Sequence, residues 1–190
     1  MAKNNVPIVS NPVMVDKVIG QLQTGLKANL AWLDNAFGKA QKITKKIGQK
    51  TYIFPACFAG DEEYLDVSPD SNIGNFSFIQ LHEPQNLEWI PNQLGSLSVP
   101  FSVIFWFDIR KVFPNNYKER NTEAIKAEIL NVLNLHIKLR DGRFSFNKIY
   151  ETAQNIYREY PGVMEIENQF MMHPFGGIRI EGVLTINQPC

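Results

Sequence analysis

A long amphipathic pattern opens the chain. Apolar residues recur at steps of three and four from Val15 to Phe37, which places them on one face of a helix. Asn11 and Pro12 fit an N-cap followed by a first-turn proline, and Gly38 fits a stop. The pattern therefore predicts a helix from Pro12 to Phe37. Its apolar face comprises Val15, Val18, Ile19, Leu22, Leu26, Leu30, Leu33 and Phe37.

Three segments that follow are typical of strands. Thr51–Phe58 is rich in β-formers, Phe76–His82 alternates, and Val99–Ile109 alternates most strongly. Every odd position of the third segment is apolar, so that face is expected to lie in the core. The opposite face is mixed, and we expect it to meet solvent or a partner. Between the first two strands, residues 60–75 are expected to form a long surface loop.

Two helices are predicted after these strands. Asn121 or Thr122 fits the N-cap of a helix that runs to His136, with apolar residues in helical register. Ser145 fits the N-cap of a second helix that runs to Tyr160. Pro161 and Gly162 then end it.

The last part of the chain predicts a hairpin, with arms at 166–172 and 178–186 and a turn at His173–Gly177. The predicted fold class is therefore α+β. We expect a small mixed or antiparallel sheet of about five strands, packed by the long N-terminal helix and two further helices.

The composition of the chain limits the number of domains and the classes of partner that we expect. The 190 residues, 44% hydrophobic and 20% charged, fit a single domain spanning 1–190. Lys and Arg balance Asp and Glu at 19 each, so net charge favours neither sequence-specific nucleic acid nor a membrane as partner. Because the sequence contains no apolar run of membrane-spanning length and no secretion signal, we expect a cytoplasmic protein.

The sequence contains no recognisable catalytic motif. Cys57 and Cys190 lack metal or disulfide spacing, and the three histidines lie far apart. Pro174–Ile178 has glycines but lacks the spacing of a phosphate-binding loop. We therefore expect no metal, no organic cofactor, no catalytic residue and no enzymatic activity. Cys57 is expected to be a small core residue and Cys190 an inert terminal one.

Two alternatives remain open. In the first, the protein is a small-molecule-binding domain or an enzyme of unknown chemistry, with a site near Trp89, Trp106, His82 and Asp108. In the second, it is a monomeric adaptor.

Charge is unevenly distributed along the chain. Residues 39–50 contain five lysines and no acid, whereas residues 60–75 are acidic. Both segments fit solvated faces. They also fit a contact in which the basic segment of one copy meets the acidic segment of the next. The residues of this predicted oligomer interface are Lys42, Lys45, Lys46, Asp61, Glu62, Glu63 and Asp66.

The predicted order of a long helix, a small sheet and further helices resembles the tail-terminator, tail-completion and neck proteins of long-tailed phages. The segment Met172–Gly182 is also similar to closing segments of phage tail-region proteins. The resemblance implies a structural protein that forms a ring, commonly of six copies. Such a ring joins a tail tube to head-proximal parts, is assembled in the cytoplasm and ends in the virion. Its partners are copies of itself and other tail or neck proteins, and the resemblance carries over no functional residue.

Overall fold

The computed structural model describes residues 6–70, 72–88 and 95–187. Helix α1 spans Met14–Asn29, α2 Ile109–Val112, α3 Thr122–Asn131, α4 Ala153–Ile156 and α5 Pro161–Ile166. A π-helical turn, Val132–His136, continues α3, and 3₁₀ turns lie at Tyr117–Glu119 and Asn168–Met171. The strands are β1 Asn35–Ile47, β2 Lys50–Gly60, β3 Glu63–Asp66, β4 Phe76–Leu81, β5 Asn86–Glu88, β6 Ser96–Asp108, β7 Gly142–Tyr150 and β8 Phe175–Asn187.

The described strands form one mixed sheet in the order β3-β2-β1-β4-β6-β8-β7, and β5 pairs with β6 beyond the end of β4. Among the described strands, only β1 and β4 run parallel, and the other neighbours are antiparallel. The protein is α+β, but the expected small sheet of about five strands is wrong because the described residues already form a sheet of eight. Four strands were not predicted, β1, β3, β5 and β7, and the arm predicted at 166–172 is not a strand.

Both faces of the central strand β6 are covered over much of its length. The odd positions of β6, such as Val103 and Phe105, pack against α1 and α3 in a first core, as predicted. Its even positions Ile104 and Trp106 are also buried, in a second core beneath α4 and α5. The expectation that this second face meets solvent or a partner is therefore wrong over these residues. The second core also contains Cys57, whose thiol is fully buried, and burial raises its pKa, which confirms it as a core residue.

The N-terminal helix is shorter than predicted. It begins at Met14 and ends at Asn29, although Leu30 and Leu33 beyond it are fully buried. Leu30 and Leu33 lie in a turn after the helix, and their side chains enter the same core as the apolar face of α1. Because they keep the three- and four-residue spacing of that face, the sequence pattern predicted a longer helix. Gly25 lies against the Ile137 side chain, which a Cβ would approach to 2.8 Å. The glycine therefore serves packing within the chain.

The helix predicted from Ser145 to Tyr160 is wrong. Residues up to Tyr150 belong to strand β7, and only Ala153–Ile156 form a short helix. The pairing of β7 with β8 skips Asn147, so Phe146 and Lys148 face consecutive residues of β8. Such a bulge inserts one residue into the period of two, and the apolar residues then mimic helical spacing.

The predicted C-terminal hairpin is also wrong in its first arm. Residues 166–172 form the end of α5 and a 3₁₀ turn, whereas Gly176 and Gly177 lie inside β8 opposite Phe107 and Trp106. A Cβ on Gly177 would approach the Phe105 carbonyl oxygen to 2.9 Å, so this glycine permits close strand packing instead of a turn. The cap of α3 is confirmed, since the Asn121 side chain accepts a hydrogen bond from the Ala124 amide.

Candidate assembly surface

The hairpin of β1 and β2 extends past the sheet. These strands pair with each other from Ala40–Cys57 to Ile47–Lys50. However, β4 pairs with β1 only as far as Lys39, and β3 pairs with β2 only from Ala56 onward. Residues 42–53, which we term the ribbon, therefore have no third strand within the described chain. Backbone edges left free in this way are open to pairing with another chain.

The ribbon is basic at its exposed end. Lys42, Lys46 and Lys50 are exposed and have no ion pair among the described residues. Lys45 differs, because it pairs with Asp66 of the same chain and lies 5.0 Å from the centre of the Phe54 ring. Of the predicted interface residues, Lys45 and Asp66 are thus matched internally, which leaves Lys42 and Lys46 available to another chain.

The acidic residues of the 60–75 segment include those of the turn at the other end of β2, where β2 pairs with β3. β2 and β3 are joined by Asp61 and Glu62, whose φ angles are 52° and 65°. A two-residue turn with positive φ normally uses Asn-Gly or Asp-Gly, so Glu62 is an unusual choice. Both carboxylates are exposed, as is Glu63. The turn therefore presents three carboxylates to solvent at the cost of backbone strain.

A cavity of about 780 Å³ lies beside this turn. Its apolar walls include Phe37, Leu65, Ile73 and Phe170. Carboxylates from three segments of the chain also line it: Asp61, Glu63, Asp66, Asp70 and Glu167. The cavity therefore combines an apolar surface with excess negative charge.

The pKa of Glu167 is sensitive to the negative charge around the cavity. Burial raises the pKa of its carboxyl group, and the charges of Asp66 and Asp70 raise it further. A cation that entered the cavity would relieve this repulsion. The sequence did not identify Glu167, Phe37 or Phe170 as site residues, because no local pattern connects segments so far apart in the chain.

We expect replacement of Asp61-Glu62 by Asn-Gly to raise the free energy of unfolding by about 0.5–1 kcal/mol. Each non-glycine residue in the left-handed region costs about 1–2 kcal/mol, and the greater freedom of glycine in the unfolded chain offsets part of the gain. Urea denaturation followed by circular dichroism measures the change. The single variant Glu62→Gly, which retains Asp61, is the control and should account for most of it. A loss of stability in both variants would contradict the assignment of strain to this turn.

A second polar cluster lies between the sheet and the segment after α4. Nε2 of His82 is 2.6 Å from Oγ of Ser102 and 3.2 Å from the guanidinium of Arg179. Burial, and then the charge of Arg179, lower the pKa of His82, which favours the neutral imidazole. Arg179 is fully buried between Glu159 and Glu181.

A serine beside a neutral histidine resembles a nucleophile and its base. Ser102, however, is fully buried, and His82 also contacts a guanidinium that can only donate. These contacts hold residues 156–160 against the sheet, so we assign the cluster a structural role.

The three described residues of the alternative site do not form one cluster, because His82 lies far along β6 from Asp108. Trp106 is buried, and its Nε1 donates to the Phe170 carbonyl at 2.7 Å. Asp108 caps α2 and pairs with Arg110 at 2.7 Å. His82 lies beside Pro100, about 25 Å along β6 from Asp108 at 3.3 Å per residue. Trp89 and Cys190 lie outside the described residues.

In the part of the chain that the structure describes, no group of three or more potential ligands is placed to hold a metal ion. Nor does any helix among those residues have the length and apolar character to cross a membrane. No protein-family model matches this sequence, and a search of curated proteins finds no match.

Proposed function

We propose that this chain is a non-enzymatic structural protein that assembles into a ring of identical copies, of the tail-completion or tail-terminator type. The ring joins a phage or phage-like tail tube to head-proximal parts. The observation that carries this proposal is the ribbon, whose two strands extend beyond their pairing with β4 and β3 and have no third strand on either edge within the described chain. A monomer gains little from two such strands, because exposed edges promote unwanted pairing.

The charge distribution supports copies of the same chain as the partners. The ribbon is basic at its tip, and the β2–β3 turn is acidic. Strand β2, Lys50–Gly60, separates them by about 30 Å at 3.3 Å per residue. One chain therefore cannot bring its own tip to its own acidic turn. Contact between different patches on successive copies is heterologous, and it closes into a ring when the rotation permits.

We expect the purified protein to have a solution mass several times that of one chain at micromolar concentration, or when tail and neck proteins are present. Light scattering measures the mass, and negative-stain electron microscopy distinguishes rings from open filaments. Because charges contribute to the proposed contact, assembly should weaken toward 1 M salt, where the screening length falls to about 3 Å. A strictly monomeric species both alone and with partners would overturn the proposal.

A further inference from the structure

We propose that the tip of the ribbon, Ile47–Lys50, docks into the acidic cavity of the next copy. This inference rests on the proposed ring and specifies the contact that holds neighbouring copies together. The tip is a two-residue turn at Gly48 and Gln49, with Gly48 at a φ of 63°. All four tip residues are exposed. The turn is therefore narrow and projects into solvent.

The chemistry of the tip matches that of the cavity. Lys50 lies in the tip and Lys46 directly precedes it, while the carboxylates Asp61 and Glu63 line the cavity. The apolar side chain of Ile47 is 41% exposed, and the apolar wall of the cavity offers a surface against which it can pack. The volume of about 780 Å³ lies within the range of about 300–1,000 Å³ found for ligand pockets, so it admits several side chains.

The ion pair between Lys45 and Asp66 supports a second copy of the chain as the molecule whose tip enters the cavity. It fixes the middle of the ribbon beside its own cavity rim, while the tip continues beyond this contact, away from Ala56, the β2 residue that pairs with Asp66. An acidic surface that meets Lys46 and Lys50 therefore has to belong to another molecule. A second copy presents one with the opposite charge and a matching apolar wall.

Reciprocal charge reversal tests the contact. The tip variant carries Lys46→Glu and Lys50→Glu, whereas the cavity variant carries Asp61→Lys and Glu63→Lys. Both retain Lys45 and Asp66. In either variant alone, like charges meet at every contact, so the concentration for half-assembly should rise at least tenfold.

An equimolar mixture of the two variants should recover assembly. The acidic tip of one variant then meets the basic cavity of the other, and the basic tip meets the acidic cavity. Copies alternate around the ring, which requires an even number of them. A single chain with all four changes should assemble by itself.

Two further variants control for charge and shape. Lys118→Glu with Lys138→Glu makes the same change in net charge at two exposed lysines outside the ribbon, and it should assemble like wild type. Deleting Lys46, Ile47, Lys50 and Thr51 lets the same Gly48–Gln49 turn close on the paired Lys45 and Tyr52. Removing two residue pairs preserves which face each side chain occupies. This shortened ribbon should lose assembly at every salt concentration.

Light scattering across protein concentration measures assembly, and circular dichroism confirms that each variant is folded. If wild type assembles and both reversal variants assemble equally well, the docking contact is wrong while the proposed ring stands. If both variants fail and their mixture also fails, tip and cavity do not meet, and the inference is again overturned. If the tip variant instead loses binding to a different tail protein, the tip serves another partner. A monomeric wild type, alone and with partners, refutes the proposed function itself.

Discussion

Replacing Arg179 with alanine should lower the free energy of unfolding by about 3–5 kcal/mol. The guanidinium has no solvent exposure and donates to both carboxylate oxygens of Glu159, to Glu181 at 2.9 Å and to the Ile156 carbonyl at 3.3 Å. Without it, two carboxylates that are largely removed from water lose their main compensating charge. Removal of one partner from a buried pair costs far more than the intact pair contributes, because the remaining charge stays desolvated.

Arg158 is the matched control for this prediction. It contacts the same carboxylates, Glu181 at 2.6 Å and Glu159 at 3.1 Å, but its side chain is 41% exposed. Water replaces it after substitution, so Arg158→Ala should cost less than about 1 kcal/mol. Urea denaturation at pH 7 measures both variants. Equal losses would show that burial of Arg179 does not determine its contribution.

The difference between wild type and Arg179→Ala should shrink in acid. Burial disfavours the charged form of Glu159, but hydrogen bonds and charge from Arg179 outweigh it and lower its pKa below the ordinary 4.5. A lowered folded-state pKa stabilises wild type above about pH 4.5, and this stabilisation is lost as pH falls through the folded value. The lowered pKa of His82 acts in the same direction below its ordinary 6.5. In the variant, protonation of the uncompensated carboxylates removes the free-energy cost of burying their charge. The stability of wild type and that of the variant therefore converge as the pH falls.

Trp106→Ala should lower the free energy of unfolding by about 3–5 kcal/mol, the usual cost of truncating a buried aromatic residue. Trp106 is 1% exposed, and its ring centroid lies 5.5 Å from that of Phe76 and 5.3 Å from that of Phe175. Its indole also donates to the Phe170 carbonyl. The substitution opens a cavity in the second core and leaves that carbonyl without its donor.

Trp106→Phe separates packing from a role in ligand binding. Phenylalanine retains most of the buried ring and loses the hydrogen bond, so the cost should fall to about 1–3 kcal/mol, the cost of one unsatisfied buried group. Both variants are measured by thermal and urea denaturation. Wild-type stability in Trp106→Ala would contradict the core assignment and would favour the alternative in which Trp106 belongs to a binding site.

Strands β4 and β6 were predictable because their residues alternate without interruption between the two faces. The cap at Asn121 was predictable because capping depends on residues within one helical turn. By contrast, β7 was mistaken for a helix because its bulge at Asn147 breaks the alternation. Strand β1 was missed because most of the ribbon contacts solvent, and a solvated strand shows little apolar periodicity.

The separation of basic and acidic residues along the chain was determined by the sequence itself, since it needs no structure to be read. Only the tertiary structure decided how those charges are used. It paired Lys45 with Asp66 inside one chain, left Lys46 and Lys50 exposed near the end of the ribbon, and placed Glu167 in the lining of the cavity with Asp61. The physical reason is the distance along the chain between the residues that interact. Caps, turns and alternation depend on neighbours a few residues away, whereas a cavity wall depends on which distant segments the sheet brings into contact.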